Sequence, residues 1–146
     1  MLKSINVAGA RPAVYPDEAG KVLVSDGSYG ITVAQNVDEA VIALCSLPAG
    51  CVPLDFIVVM DDLDSGAGLV WDGGGINAAE DAVDQIMISA STVGQSAGLA
   101  RATLFPMVAP VETETLFGVH ITTVAGGAQA GTIRGILTYR STEYGG

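Results

Sequence analysis

The sequence predicts an all-β domain, an antiparallel β-sandwich of jelly-roll-like form with about eight or nine short strands. Short apolar or alternating segments are separated by turn signals every ~8–12 residues. No alternation of strands with long helical segments occurs, so a parallel sheet is not expected. We expect an irregular N-terminal arm over residues 1–20, a single sandwich domain over residues 21–146, and at most one short helix.

The first half of the chain contains the strongest strand. Turn residues separate the predicted strands; Asp26-Gly27 is one such turn and Leu47-Pro48-Ala49-Gly50 is another. In Val52–Met60, Leu54, Phe56, Val58 and Met60 share one face, and Ile57 and Val59 lie on the other. A strand that is apolar on both faces is either covered on both sides or pressed against a partner. The predicted strands are Lys21–Ser25, Tyr29–Val33, Glu39–Ser46 and Val52–Met60.

The second half contains the clearest alternation. Phe117, Val119 and Ile121 alternate with more polar residues, as do Ile133, Gly135, Leu137 and Tyr139, which is typical of strands with one face on a core. Asn77 followed by Glu80 resembles a helix N-cap and predicts a short helix over residues 78–84. The other predicted strands are Leu69–Trp71, which Asp72-Gly73-Gly74-Gly75 would end, Ile86–Ala90 and Ala102–Val108.

Composition argues for protein contacts and against several other functions. Charged residues are 15% of the chain, against about 25% in a typical soluble domain. The simplest explanation is that other protein covers part of the surface. The 16 acidic residues outnumber 6 scattered basic ones, so nucleic acid and anionic membranes are not expected partners. The richest apolar stretch, Cys51–Met60, contains Pro53 and Asp55 and is too short to span a bilayer.

Few residues point to chemistry. Asp61, Asp62 and Asp64 partly resemble the start of a calcium loop, but the closing acid is missing, and a solvated turn is the simpler interpretation. The only histidine, His120, is expected to be an exposed strand residue. We therefore expect no enzyme activity, no cofactor and no metal. Cys45 and Cys51 are expected to be free thiols, since no signal peptide indicates an oxidising compartment.

Several turn and strand motifs occur together between about residues 39 and 140. They are Leu47-Pro48-Ala49-Gly50, Asp61-Asp62-Leu63-Asp64-Ser65-Gly66, Ser91-Thr92-Val93-Gly94-Gln95, Arg101 and Ala130–Arg140. Together they resemble the small head decoration or cement-type virion structural proteins of tailed bacteriophages. The segment Gly73–Asp84 and residues 1–36 do not match that pattern.

The resemblance implies a sandwich protein that decorates or cements the outer surface of a capsid. Its partners would be the major capsid protein and copies of itself, as a homotrimer or homodimer. It would be made in the host cytoplasm and reside on the virion. The net charge of −10 favours the outer face of a shell, away from packaged DNA. The predicted assembly contacts are Val14, Tyr15, Pro16, Ile57 and Val59.

Two alternatives remain open from the sequence. One is a virion-exposed carbohydrate- or receptor-binding sandwich, part of a tail or head fibre, with Trp71, Tyr29, Tyr139 and Tyr144 as a stacking platform. These aromatic residues are more simply core residues. The other alternative is a small hydrolase using Asp61, Asp62 or His120.

Overall fold

A computed structural model describes residues 1–3 and 21–142 of the chain. Apart from one turn of 3-10 helix at Val33–Gln35, the regular structure of this part is all strand. The strands are β1 (Leu2–Lys3), β2 (Val22–Ile31), β3 (Val41–Leu47), β4 (Cys51–Met60), β5 (Val70–Ile76), β6 (Val83–Ser91), β7 (Gly98–Arg101), β8 (Thr115–Thr123) and β9 (Gly131–Ser141).

The strands form two sheets with jelly-roll connectivity. The five-stranded sheet has the order β1-β3-β8-β5-β6 and the four-stranded sheet has the order β2-β9-β4-β7. The pairs are nested: β5 pairs with β6, β4 with β7, β3 with β8 and β2 with β9, all antiparallel. From β2 to β5 successive strands alternate between the sheets, as in a long hairpin rolled on itself. The predicted antiparallel sandwich is confirmed, with β1 added in parallel beside β3.

The core lies between the two sheets. The ring of Phe56 from β4 meets that of Phe117 from β8 edge to face, with 5.6 Å between centroids. Both alternating segments of the second half turn their apolar residues inward as predicted. The buried residues from these two strands are Phe117, Val119, Ile121, Ile133, Leu137 and Tyr139.

The predicted turn at Asp26-Gly27 is wrong, because β2 runs straight through it. All ten residues of β2 pair with β9, and Gly27 lies opposite Gly135. A side chain at Gly135 would meet the Cβ atom of Leu44 at 2.8 Å, so glycine is needed for close approach of β3. The long partner strand outweighs a local turn preference.

The glycine run after Trp71 also lies inside a strand, and the prediction that Asp72-Gly73-Gly74-Gly75 ends a strand is wrong. These residues form the middle of β5. A Cβ atom on Gly74 would overlap the carbonyl oxygen of Gln85 in β6. The glycines therefore let the two backbones approach closely, with several shifts in the pairing register.

Two further predictions are wrong. No helix forms over residues 78–84. Instead, Oδ1 of Asn77 accepts hydrogen bonds from the N–H groups of Asp81 and Ala82, and this side chain closes a tight turn before β6. The strand predicted over Ala102–Val108 is an irregular segment, and the preceding residues form β7 instead. Pro106 within the segment has no N–H group to donate to a ladder.

The two cysteines are buried free thiols. Burial in the apolar core raises the pKa of Cys45 to about 12, so this side chain stays protonated and unreactive at neutral pH. In the described residues, no helix is both long enough and apolar enough to cross a membrane.

The N-terminal arm predicted over residues 1–20 is described only at its start. Leu2 and Lys3 form β1 and pair with Ile42 and Ala43 of β3. Val14, Tyr15 and Pro16 lie outside the described residues, so their assignment as assembly contacts stays a prediction.

Candidate assembly surface

The side chains of β2, β9, β4 and β7 that point away from the core form one continuous surface, here called the outer sheet face. Ile57 and Val59 both lie on it, near its centre. Their alternation with buried Phe56 and Val58 fixes this direction. The two central rows of residues across the sheet are Asp26–Ile136–Ile57–Arg101 and Ser28–Arg134–Val59–Leu99.

Much of the outer sheet face is apolar and open to solvent. The exposed fraction is 36% for Val59, 57% for Leu99 and 56% for Val24. Ile57 and Ile136 between them are half-buried by their neighbours. An apolar strip that runs across all four strands is a typical signature of an interaction surface.

Two ion pairs flank the apolar centre. At the β7 side, the guanidinium of Arg101 donates to both carboxylate oxygens of Asp55, at 2.6 and 3.3 Å. These hydrogen bonds, together with the charge of Asp55, raise the pKa of Arg101. At the β2 side, Arg134 lies 3.3 Å from Asp26. An apolar centre bordered by charged groups is the common anatomy of protein–protein interfaces.

The outer sheet face differs in charge from the rest of the molecule. Its four strands contain three arginines and two aspartates, in a chain whose formal net charge is −10. Arg140 is the third arginine, and it forms no ion pair with any described residue. Counted over its four strands, the outer sheet face therefore carries a formal net charge of +1, three arginines against two aspartates.

A second apolar surface is the uncharged segment, residues 102–111, between β7 and β8. Val108 is 84% exposed, and Leu104 and Phe105 are about half exposed. Backbone hydrogen bonds hold the segment at both ends: the N–H of Leu104 donates to the carbonyl of Met87, and that of Val111 to Cys51. The apolar side chains are thus presented on an anchored backbone.

The acidic turn after β4 is organised around a buried carboxylate. Oδ1 of Asp64 accepts N–H groups of Gly66 and Gly127, and Oδ2 accepts those of Gly68 and Leu69, all at 2.7–2.8 Å. Burial alone would raise the pKa of Asp64, but the four donors outweigh it and hold the pKa well below its ordinary value. Asp64 therefore fastens this turn to the β8–β9 connection.

The other two acids of the turn also bond to backbone. Oδ2 of Asp61 accepts the N–H of Thr132 at 2.8 Å, and Oδ1 of Asp62 accepts that of Asp64 at 3.3 Å. Within the described residues, no group of three or more His, Cys, Asp or Glu side chains is arranged to hold a metal ion. The geometry gives these acids a structural task in the turn.

Three of the motifs that carry the sequence resemblance meet at this end of the sandwich: Asp61–Gly66, Ser91–Gln95 and Ala130–Arg140. The N–H of Leu63 donates to the carbonyl of Gly94 at 2.8 Å, and Nε1 of Trp71 donates to that of Val93 at 2.6 Å. Gln95 donates through its side chain to Leu69 at 2.9 Å. The motifs thus brace connections between the sheets.

His120 is less exposed than the sequence suggests. Its side chain is only 12% exposed, and its Nε2 lies 2.8 Å from Oε2 of Glu39. Among the described residues, Glu39 provides the only side chain hydrogen-bonded to this ring. Asp72 lies beside it in the sheet. In the part of the chain that the structure describes, no Ser, Thr or Cys side chain is hydrogen-bonded to the imidazole.

The proposed aromatic platform is not assembled on the surface. Trp71 and Tyr139 are fully buried in the core. Tyr29 is half-buried, and its hydroxyl accepts a hydrogen bond from Gln35 at 2.9 Å. Tyr144 lies outside the described residues.

Sequence reasoning found the centre of the outer sheet face and missed its border. The alternation in β9 already separates Arg134, Ile136 and Arg140 from the core positions. Their relation to Ile57 could have been suspected only by assuming that β9 lies beside β4. Leu99 was missed because β7 is short and has no clear alternation.

No protein-family model matches the sequence, and a search of curated proteins finds no match. Two solved structures resemble the chain. A chain of the capsid of Ralstonia phage GP4 is 28% identical, with a TM-score of 0.83 over 97% of both chains. A chain of the capsid asymmetric unit of cyanophage Pam1 is 28% identical, with a TM-score of 0.68 over 92% of this chain and 95% of that one. These likenesses support a structural role in a phage virion.

Proposed function

We propose that this protein decorates or cements the outer surface of a phage capsid through protein–protein contacts. The observation that carries the proposal is the placement of exposed apolar side chains on two surfaces that lack excess acid, the outer sheet face and the uncharged segment. A strongly acidic protein repels its own copies and most acidic proteins wherever its carboxylates face them. Contacts with other proteins are therefore expected on these two surfaces, where the chain presents no excess of carboxylates.

The net charge of −10 supports the outside of the shell. The lumen of a capsid is filled with DNA phosphates, which repel an acidic chain. On the outside, many copies bound to a repeating lattice gain from avidity, so each contact can be modest. The partners would be the major capsid protein and further copies of this chain, as a homodimer or homotrimer.

The test uses empty shells of the phage that encodes this chain, stripped of the protein. Purified protein is added in increasing amounts, and the copies that sediment with the shells are counted. We expect saturation at a fixed ratio to shell subunits and a higher melting temperature of the decorated shells. An unrelated acidic protein of similar size is the control.

Protein that stays in the supernatant at all concentrations would contradict the proposal. Binding of only a few copies per particle would contradict it as well, since it would indicate a tail or fibre position. Sedimentation velocity of the free protein distinguishes a monomer from the dimer or trimer that we propose.

A further inference from the structure

We propose that the outer sheet face is the surface that contacts the shell, and that it fits a shell surface whose apolar centre is bordered by carboxylates. This inference rests on the proposed function and specifies which surface of the chain performs it. It selects the four-stranded sheet over the uncharged segment and over the five-stranded sheet.

On the other sheet, the outward apolar side chains are already buried. On the five-stranded sheet, the outward side chains of Val41, Ala43, Ile76 and Val83 are buried in a second apolar cluster. On the four-stranded sheet, the corresponding side chains, such as Leu99, remain open to solvent. Among the strands that the structure describes, only those of the outer sheet face leave an apolar sheet surface available to a partner.

The charged groups of the outer sheet face favour a partner that carries carboxylates. The side chains of Arg101 and Arg134 are 66% and 54% exposed, although each is paired with an aspartate. Those ion pairs hold the planar guanidinium groups at the border of the apolar strip, with donors still open to solvent. Arg140 adds a third cation. Arginine binds carboxylates with two parallel hydrogen bonds, so a partner with carboxylates at matching positions is favoured.

The same charges disfavour a symmetric pairing of two outer sheet faces. If two outer sheet faces met across a two-fold axis, the arginines of one would approach those of the other. An acidic region of the chain around Glu39, Glu80 and Asp81 could meet the arginines head to tail, which builds a closed ring such as a trimer if the rotation closes and an open filament if it does not. We infer a shell protein as the occupant, because it can carry the carboxylates without a second outer sheet face opposite, and sedimentation velocity tests the alternative of a second copy.

The size of the face indicates a weak single contact. Four strands about 4.8 Å apart, with about 3.4 Å per residue along the longest, give an area of about 500 Å². Stable interfaces bury about 800 Å² per partner. One copy on this face alone would bind weakly, and the repeated lattice of a shell would supply the remaining affinity.

The experiment compares matched substitutions on the two apolar surfaces. Leu99→Asp places a carboxylate on the outer sheet face, and Val108→Asp places the same group on the uncharged segment. Both positions are more than half exposed, so both variants should keep the melting temperature of the wild type. We expect Leu99→Asp to weaken shell binding by ~10-fold or more and Val108→Asp to leave it unchanged.

Arg140→Glu tests the charge of the partner surface. We expect it to weaken shell binding and to make that binding less sensitive to salt, because it replaces an attraction by a repulsion. Stronger shell binding by Arg140→Glu would overturn the inference that carboxylates border the apolar centre of the shell surface.

The outcomes separate the two proposals. If wild-type protein does not bind shells, the proposed function fails. If wild-type protein and Leu99→Asp bind equally well, the function stands and the outer sheet face is overturned as the contact surface. If Leu99→Asp leaves shell binding intact but shifts the free protein to a smaller species in sedimentation velocity, the face joins copies of this chain, which also overturns the inference.

Discussion

The two sheets of the sandwich differ in what lies on their outer faces. On the five-stranded sheet, a second apolar cluster that includes Val41 and Ala43 is already buried. On the four-stranded sheet, Val24, Val59 and Leu99 face solvent. A sandwich needs only its inner faces to fold, so the apolar outer sheet face is not required for the core. Folding therefore does not account for the apolar character of the outer sheet face.

The two sides also differ in charge. The four strands of the outer sheet face contain three arginines. On the other side, the pocket at the edge of the five-stranded sheet is lined by Glu39, Glu80 and Asp81, and Lys3 lies 3.7 Å from Glu80. A molecule whose charges are separated in this way has a preferred orientation on a charged partner.

The largest expected effect is a loss of stability when a methyl group is added to a glycine of the five-stranded sheet. The same change on the four-stranded sheet is the comparison. In Gly118→Ala, the new Cβ atom would overlap the carbonyl oxygen of Ile42, and β3 and β8 would have to separate. We expect a loss of about 3 kcal/mol or more of unfolding free energy, or insoluble protein. In Gly30→Ala, on the open sheet, the Cβ atom meets nothing within 4 Å, and we expect a change within ~0.5 kcal/mol.

Chemical denaturation of both glycine variants measures the difference. Equal stability of the two variants would mean that β3 and β8 are not packed as closely as described. The two sheets would then not differ in how tightly their backbones pack at these glycines.

The next largest effect is a lower melting temperature when Asp64, in the turn that connects the two sheets, is replaced. In Asp64→Asn, the amide group presents N–H donors to backbone N–H groups, and we expect the melting temperature at pH 7 to fall by ~10 °C. The pKa of Asp64 is lower in the folded chain than its ordinary value of 3.8. Its stabilisation is therefore complete above that value and is lost as the pH falls below it.

Melting curves of the wild type and Asp64→Asn between pH 7 and pH 2 test this. The gap between their melting temperatures should narrow as the pH drops below 3.8. A constant gap across this range would show that the charge of Asp64 does not stabilise the turn.

The smallest expected effect is the difference in stability cost between valine-to-threonine substitutions on the outward sides of the two sheets. Threonine has nearly the shape of valine and also favours strands. Val41→Thr buries a hydroxyl group, because Val41 is only 5% exposed, and should cost about 2 kcal/mol. Val59→Thr leaves its hydroxyl in water and should cost less than ~0.5 kcal/mol. Similar costs at both sites, measured by urea unfolding, would mean that the two faces are equally covered.

The alternating segments identified the sandwich because alternation is local. Phe117 and Tyr139 are recognisable as inward residues from their neighbours alone. The apolar residues on both faces of β4 led to Ile57 and Val59 as predicted assembly contacts, and this assignment stays a prediction. The local signals failed where a partner strand outweighed them, as at Asp26-Gly27 and Gly73-Gly74-Gly75.

The sequence by itself determined the fold class, the charge imbalance and the centre of the outer sheet face, because strand alternation and composition need no knowledge of distant residues. Only the tertiary structure decided that Arg101 and Arg134 border that centre and that Asp64 is a buried acceptor of four N–H groups. Three of the four donors to Asp64 lie within five residues of it, but the two ion pairs and the hydrogen bond from Gly127 join residues that are distant in the sequence. Their pairing depends on strand order, which the nested hairpins of the jelly roll establish only when the whole chain has folded.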